Sequence, residues 1–149
     1  MKKIVEGKWE NMNENKFDFE NLHVYQKALD YVDMIYEITK TFPKSEAFSL
    51  VDQFRRAAVS ISLNIAEGSG GSKAEFTQFL KIARRSIREC IACTEISFRQ
   101  HFIYEKRKEE SRIRCVELSM MTNGLMKSLK RSHPVTLNDS QPQTQNSEP

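Results

Sequence analysis

Residues 72–98 read SKAEFTQFLKIARRSIRECIACTEISF, and the spacing of apolar side chains in this run decides the fold class. Phe76, Phe79, Leu80, Ala83, Ile87, Cys90, Ile91, Thr94 and Phe98 recur at i, i+3, i+4 and i+7. That is the period of one buried face of an α-helix, not the alternation of a strand. Ser72 and Glu75 stand just ahead at capping-box spacing, where each side chain satisfies an orphan amide of the other residue. A long amphipathic helix therefore begins at Ser72.

Working outward, Gly68-Ser69-Gly70-Gly71 ends one helix and leads into the next. The preceding helix is expected to start near Ser45, just after Pro43, with Val51, Phe54, Ala58, Ile61 and Ile65 in one stripe. Its small residues Ala57, Ala58, Ser60 and Ser62 permit close approach to a neighbour. A first helix from about Leu22 to Phe42 carries Tyr25, Leu29, Val32 and Tyr36 on one face, widened by Ala28, Ile35 and Ile38, and stops at Pro43. Beyond a break around His101 to Glu105, a fourth runs to about Lys130 with Leu118, Met121, Leu125 and Leu129 on one side. Ile113, Val116 and Met120 fall on nearly the opposite side, so this helix has a second apolar surface, expected to be an oligomer interface. No run alternates as a half-buried strand does. The pattern predicts an all-α antiparallel up-down-up-down four-helix bundle.

A chain of 149 residues with 39% hydrophobic and 29% charged side chains is expected to fold as one domain. Residues 1–20 read as a loosely docked, flexible arm in which Trp9, Phe17 and Phe19 offer local anchors, residues 21–131 as the bundle, and residues 132–149 as a disordered tail. The stretch from His133 onward carries three of the four prolines and no amphipathic period. The first residues lack the apolar run of a secretory signal, and charges interrupt every apolar segment well short of the roughly 18 residues a membrane-spanning helix needs. With three cysteines, an odd number, the expectation is a cytoplasmic protein with reduced thiols.

The stretch from Leu22 to Phe98 resembles the bacterial four-helix-bundle or 23S rRNA-intervening sequence protein family. The residues that carry the resemblance are Leu22-His23-Val24-Tyr25-Gln26-Lys27-Ala28, Phe42-Pro43-Lys44, the blocks Gln53 to Ile61 and Asn64-Ile65-Ala66-Glu67-Gly68, then Glu75-Phe76 and Phe79 to Arg84. Asn123 to Leu129 looks like the family's ending, whereas Cys90, Cys93 and Arg99 to Tyr104 depart from its pattern. The resemblance implies a four-helix protomer in a ring-like homopentamer. Some members are encoded within intervening sequences of large-subunit ribosomal RNA genes. A related group, the accessory variability proteins of diversity-generating retroelements, works with a reverse transcriptase and nucleic acid. The fold transfers by resemblance more readily than the function does.

Charge is distributed unevenly. Between Asn21 and Arg131 there are 19 Lys/Arg against 13 Asp/Glu, an excess of six, whereas the N-terminal arm holds four basic and five acidic residues. Lys81, Arg84, Arg85 and Arg88 stand at i, i+3, i+4 and i+7 and form a basic ridge within about a third of the helix circumference. Lys73 lies roughly on the same side, and Arg55 and Arg56 extend the patch if the surfaces adjoin. A cluster of like charges suits a polyanion. The competing reading has these cations paired with Asp30, Asp33 and Glu37 of the first helix, or simply solvating a bundle face. The ridge has no interleaved aromatics, which argues against base stacking.

Other motifs read as structural. The run from Gly68 to Lys73 lacks the glycine before and the Ser or Thr after the lysine that a phosphate-binding loop requires, and it follows a helix instead of a strand. Cys90 and Cys93 form a C-x-x-C inside a helix without a second pair. Cys115 and His101 could in principle join them on a metal, yet Cys90 belongs to the apolar stripe, where a buried cysteine acts as a small hydrophobe. No nucleophile, base and oxyanion-hole constellation accompanies His23, His101 or His133. The expectation is a non-enzymatic protein without cofactor or metal, binding itself and RNA or DNA. The alternative is a protein-interaction scaffold that does not contact nucleic acid.

Overall fold

Pro43 and the glycines between 68 and 71 interrupt a chain otherwise rich in helix formers, and the helices fall between them. The computed structural model describes residues 17–131. Four helices account for most of these: α1 His23–Thr39, α2 Leu50–Ser69, α3 Lys73–Arg99 and α4 Glu105–Arg131. Short 3-10 turns at Asp18–Asn21 and Lys44–Glu46 precede α1 and α2. No strand occurs among the described residues, so the protein is all-α there. The expectations for most of the arm, Trp9 included, and for the tail lie outside the described residues. Phe19, within them, sets its ring edge-on to Tyr25 of α1 at 5.0 Å.

The ends of α3 follow from side-chain chemistry. At its start Ser72 Oγ accepts the Glu75 N–H at 3.2 Å, and the Ser72 hydroxyl lies 3.2 Å from Glu75 Oε1, to which it donates. The return contact thus runs from hydroxyl to carboxylate instead of carboxylate to amide. At its end the Phe102 N–H donates to Ser97 O and the His101 N–H to Phe98 O, at 2.9 and 3.0 Å. This is a Schellman closure that places His101 in the left-handed region at φ 62°. The start of α2 differs from the sequence expectation. Residues 44–46 form a 3-10 turn, Ser49 has φ −122° and ψ −99°, and the α-helix begins only at Leu50. Nothing apolar is buried between Lys44 and Ser49, so packing gives no reason to extend the helix backward. Phe48, in this connection, is almost fully exposed.

Each helix packs on two neighbours, α2 on α1 and α3, and α4 on α3 and α1, so α1 and α3 sit across the bundle from one another. α2 and α3 come close at Gly68, where an added Cβ would lie 2.5 Å from Phe79 Cβ and 3.4 Å from Phe76 Cα. The buried face of α1 is rotated from the expected one. Val24, Ala28, Tyr31, Ile35 and Ile38 are buried, whereas Tyr25, Leu29 and Val32 are half-buried and Tyr36 is exposed. Tyr31 takes the centre because its hydroxyl finds a partner there. Tyr31 OH lies 2.9 Å from Ser111 Oγ, Ser111 Oγ lies 2.7 Å from Thr94 Oγ1, and Thr94 donates to Cys90 O at 2.8 Å. With Thr94's proton committed, Ser111 donates to Thr94 and Tyr31 to Ser111, and the relay is satisfied throughout. On α4 the core line is Ser111, Cys115, Leu118, Thr122 and Met126, while the expected Met121, Leu125 and Leu129 pack at its edge.

Candidate nucleic-acid interface

The α3 stripe that faces the core, with Leu80, Ala83, Ile87 and Cys90 all buried, fixes what must face away from it. At about 100° per residue, Lys81, Arg84, Arg85 and Arg88 fall together on one flank beside that stripe, and all four are exposed. The carboxylates proposed as their partners are elsewhere. Across the bundle, Glu37 of α1 lies 3.8 Å from Arg107, and Lys27 of α1 lies 3.4 Å from Glu117. None of the ion pairs among the described residues includes a cation of the ridge. Arg84 alone has a fixed contact, its Nη1 donating to Asn123 Oδ1 of α4 at 3.3 Å.

That contact marks a groove of about 500 Å³ between the first half of α3 and the second half of α4, lined by Thr77, Lys81, Arg84, Asn123, Met126, Lys127 and Lys130. From Phe76 to Arg88 there are four basic residues and no acidic one, and from Leu118 to Arg131 three basic residues and again no acidic one. α1 is the reverse, with Lys27 against Asp30, Asp33 and Glu37. The bundle is thus positive on its α3–α4 flank and negative on α1. Lys127, Lys130 and Arg131 also stand at i, i+3 and i+4, but at the end of a helix such cations read as partners of its dipole. The signal that reveals them is the absence of Asp and Glu from both segments.

The other expected cations lie apart from this groove. Arg55 stacks over the Tyr36 ring at 4.5 Å and donates from Nε to Thr39 Oγ1 at 2.8 Å, pinning α2 to α1. Arg56 pairs with Asp52 at 3.0 Å. Both line a second groove, with Val59, Leu63 and Glu67 on the outer side of α2. Lys73 borders an apolar cup of about 300 Å³ at the end of the bundle, formed by Phe19, Leu22, Phe76, Leu125 and Leu129.

Cys90, Cys93 and Cys115 are free and buried. Burial pushes the Cys93 and Cys115 thiols up to about 11 and Cys90 higher still, the reverse of what a thiolate ligand or nucleophile needs. Among the described residues no three His, Cys, Asp or Glu side chains are placed to hold a metal, and no helix is long and apolar enough to cross a membrane. Ile113, Val116 and Met120 are 67%, 48% and 70% exposed, a row of apolar side chains uncovered in the single chain.

A family model described as 23S rRNA-intervening sequence protein matches residues 20–124, more than half of the chain. The chain belongs to this family. The match to the 23S rRNA-intervening sequence proteins spans α1 to α3 and α4 as far as Gly124, so Lys127 and Lys130 lie beyond it. Among solved structures, the chain is similar to a protein of unknown function from the S23 ribosomal protein family of Bacteroides thetaiotaomicron. The two share 24% identity with a TM-score of 0.65, over 70% of this chain and 98% of that one, a likeness of fold. No curated protein matches the chain.

Proposed function

We propose that this 23S rRNA-intervening sequence protein is a non-enzymatic helical-bundle protein that binds the backbone of RNA or DNA through the basic outer side of α3. The observation that carries the reading is the cluster Lys81, Arg84, Arg85 and Arg88, exposed and without a carboxylate partner among the described residues. Cations held side by side repel one another, and a polyanion relieves that repulsion while releasing its own counterions. Binding of this kind positions phosphates and carries little base specificity.

The proposal includes the protomer's order and its assembly. Gln53 lies against Glu89 and Ser60 against Ser86, while Thr94 meets Ser111 and Arg84 meets Asn123. These pairings support an antiparallel up-down-up-down arrangement. The exposed row of Ile113, Val116 and Met120 supports a homo-oligomer, for which a pentameric ring is the form the family suggests. A ring would repeat the basic surface and raise the avidity of a weak contact. The working location is the cytoplasm.

Replacing Arg84, Arg85 and Arg88 together by Gln tests the reading. Helicity and particle mass should be unchanged, while binding to mixed-sequence RNA and DNA weakens and its salt dependence flattens. A wild-type protein that binds neither at about 50 mM salt refutes it. The same exposed apolar row favours a second reading, a scaffold for another protein such as a reverse transcriptase. Partner capture that survives both nuclease and high salt would select that reading.

A further inference from the structure

Only part of the α3 ridge faces a second positive wall. Lys81 and Arg84 stand on one side of the α3–α4 groove and Lys127 and Lys130 on the other, with Thr77, Asn123 and the buried Met126 completing its lining. Arg85 and Arg88 lie outside it. Asn123 gives its Oδ1 to Arg84, which orients the guanidinium, and its amide N–H groups are left to donate to an incoming oxygen. Thr77 gives its hydroxyl proton to Lys73 O at 2.9 Å and is left as an acceptor, so two rows of cations with an amide donor and a hydroxyl acceptor between them suit a chain of phosphates and sugars.

The lining also says which form of nucleic acid fits. It contains no aromatic side chain, and its one guanidinium, that of Arg84, is held by Asn123, so the unpaired bases of a single strand would find little to stack on, and stacking joins charge in holding single strands in their binding grooves. A double helix keeps the faces of its bases stacked inside and turns its sugar-phosphate backbone outward, where phosphate and sugar contacts recognise it. We infer that the α3–α4 groove seats one backbone strand of a double-helical nucleic acid and prefers a duplex to a single strand. This rests on the proposed backbone binding and adds where on the surface it occurs and in what form. Lys127 and Lys130 of the α4 wall lie past residue 124, where the family match ends.

The test titrates the full-length protein, at about 50 mM salt, with an RNA duplex of about 20 base pairs and with oligouridine of the same length. The duplex should bind about tenfold tighter or more. Lys127→Gln with Lys130→Gln should weaken duplex binding about tenfold and lower the salt slope by about 2. Arg85→Gln with Arg88→Gln should cost less. Lys127→Arg with Lys130→Arg, which keeps the charge, should bind as the wild type does and so separates a binding loss from a folding defect. Equal or tighter binding of oligouridine overturns the inference. So does an unchanged duplex affinity in the Lys127 and Lys130 variant alongside a loss in the Arg85 and Arg88 variant, an outcome that leaves the broader binding proposal standing. If the wild type binds neither probe, both fall together.

Discussion

Gly68 is the residue on which the spacing of α2 and α3 turns. A methyl group there meets the Cβ of Phe79 and the backbone of Phe76, neither of which is a flexible side-chain end that swings aside. Gly68→Ala should destabilise the protein by about 1–3 kcal/mol through overpacking. Gly70→Ala, whose new Cβ meets only Glu67 O at 3.7 Å, should stay within about 0.5 kcal/mol. Paired thermal melts check both. The buried cysteines make a prediction about alkali. The folded protein holds the Cys93 and Cys115 protons up to about pH 11, because burial disfavours the thiolate, whereas an unfolded thiol releases its proton near 9.0. The native state therefore binds more protons in that window, and stability present below about pH 9 should fall as the pH rises toward 11. Denaturant titrations across that range would show it, and a rising midpoint would contradict it. Burial of Cys90 was legible in the sequence from its place in the α3 stripe. The central position of Tyr31 was not, because the hydroxyl that satisfies it sits 80 residues away on α4.

At the scale of the element, α3 was the most legible part of the chain, since its period and its Ser72 cap point to the same start. Its far end holds a residue under tension. His101 occupies the left-handed position of the closure at φ 62°, a conformation that costs a side-chain-bearing residue about 1 kcal/mol and glycine nothing. His101→Gly should therefore raise stability by about 0.5–1 kcal/mol, less whatever the more flexible unfolded chain takes back. A lowered melting temperature would mean that the imidazole makes an unrecognised contribution. The core line of α4 was illegible for a different reason. Ser111 and Thr122 are polar by any hydropathy count, yet both are buried, Thr122 because its hydroxyl donates to Leu118 O at 2.7 Å and so carries its own partner inward. The late start of α2 was equally hidden, since Pro43 marks where a helix stops without saying how soon the next one begins.

For the whole molecule, the proposed assembly predicts that Val116→Glu with Met120→Glu lowers the particle mass to that of the protomer while leaving helicity intact, because both side chains point away from the protomer's core. Light scattering at micromolar concentration decides this, and a monomeric wild type would refute the assembly outright. Half of the candidate surface was readable from the sequence, namely the α3 wall that a single helix spells out in its own spacing. The α4 wall emerges only when the fold brings Lys127 and Lys130 alongside Lys81 and Arg84, a meeting that no local pattern encodes. The separation of charge has one more effect, which concerns arrival. With cations gathered on the α3–α4 flank and carboxylates on α1, opposite α3, a molecule that binds as proposed feels a torque as well as an attraction near a polyanion. It turns its α3–α4 flank forward before contact, and encounters become productive that would otherwise end in a glancing collision. Added salt should accordingly slow the association rate more steeply than it hastens dissociation, a split that stopped-flow measurements would resolve.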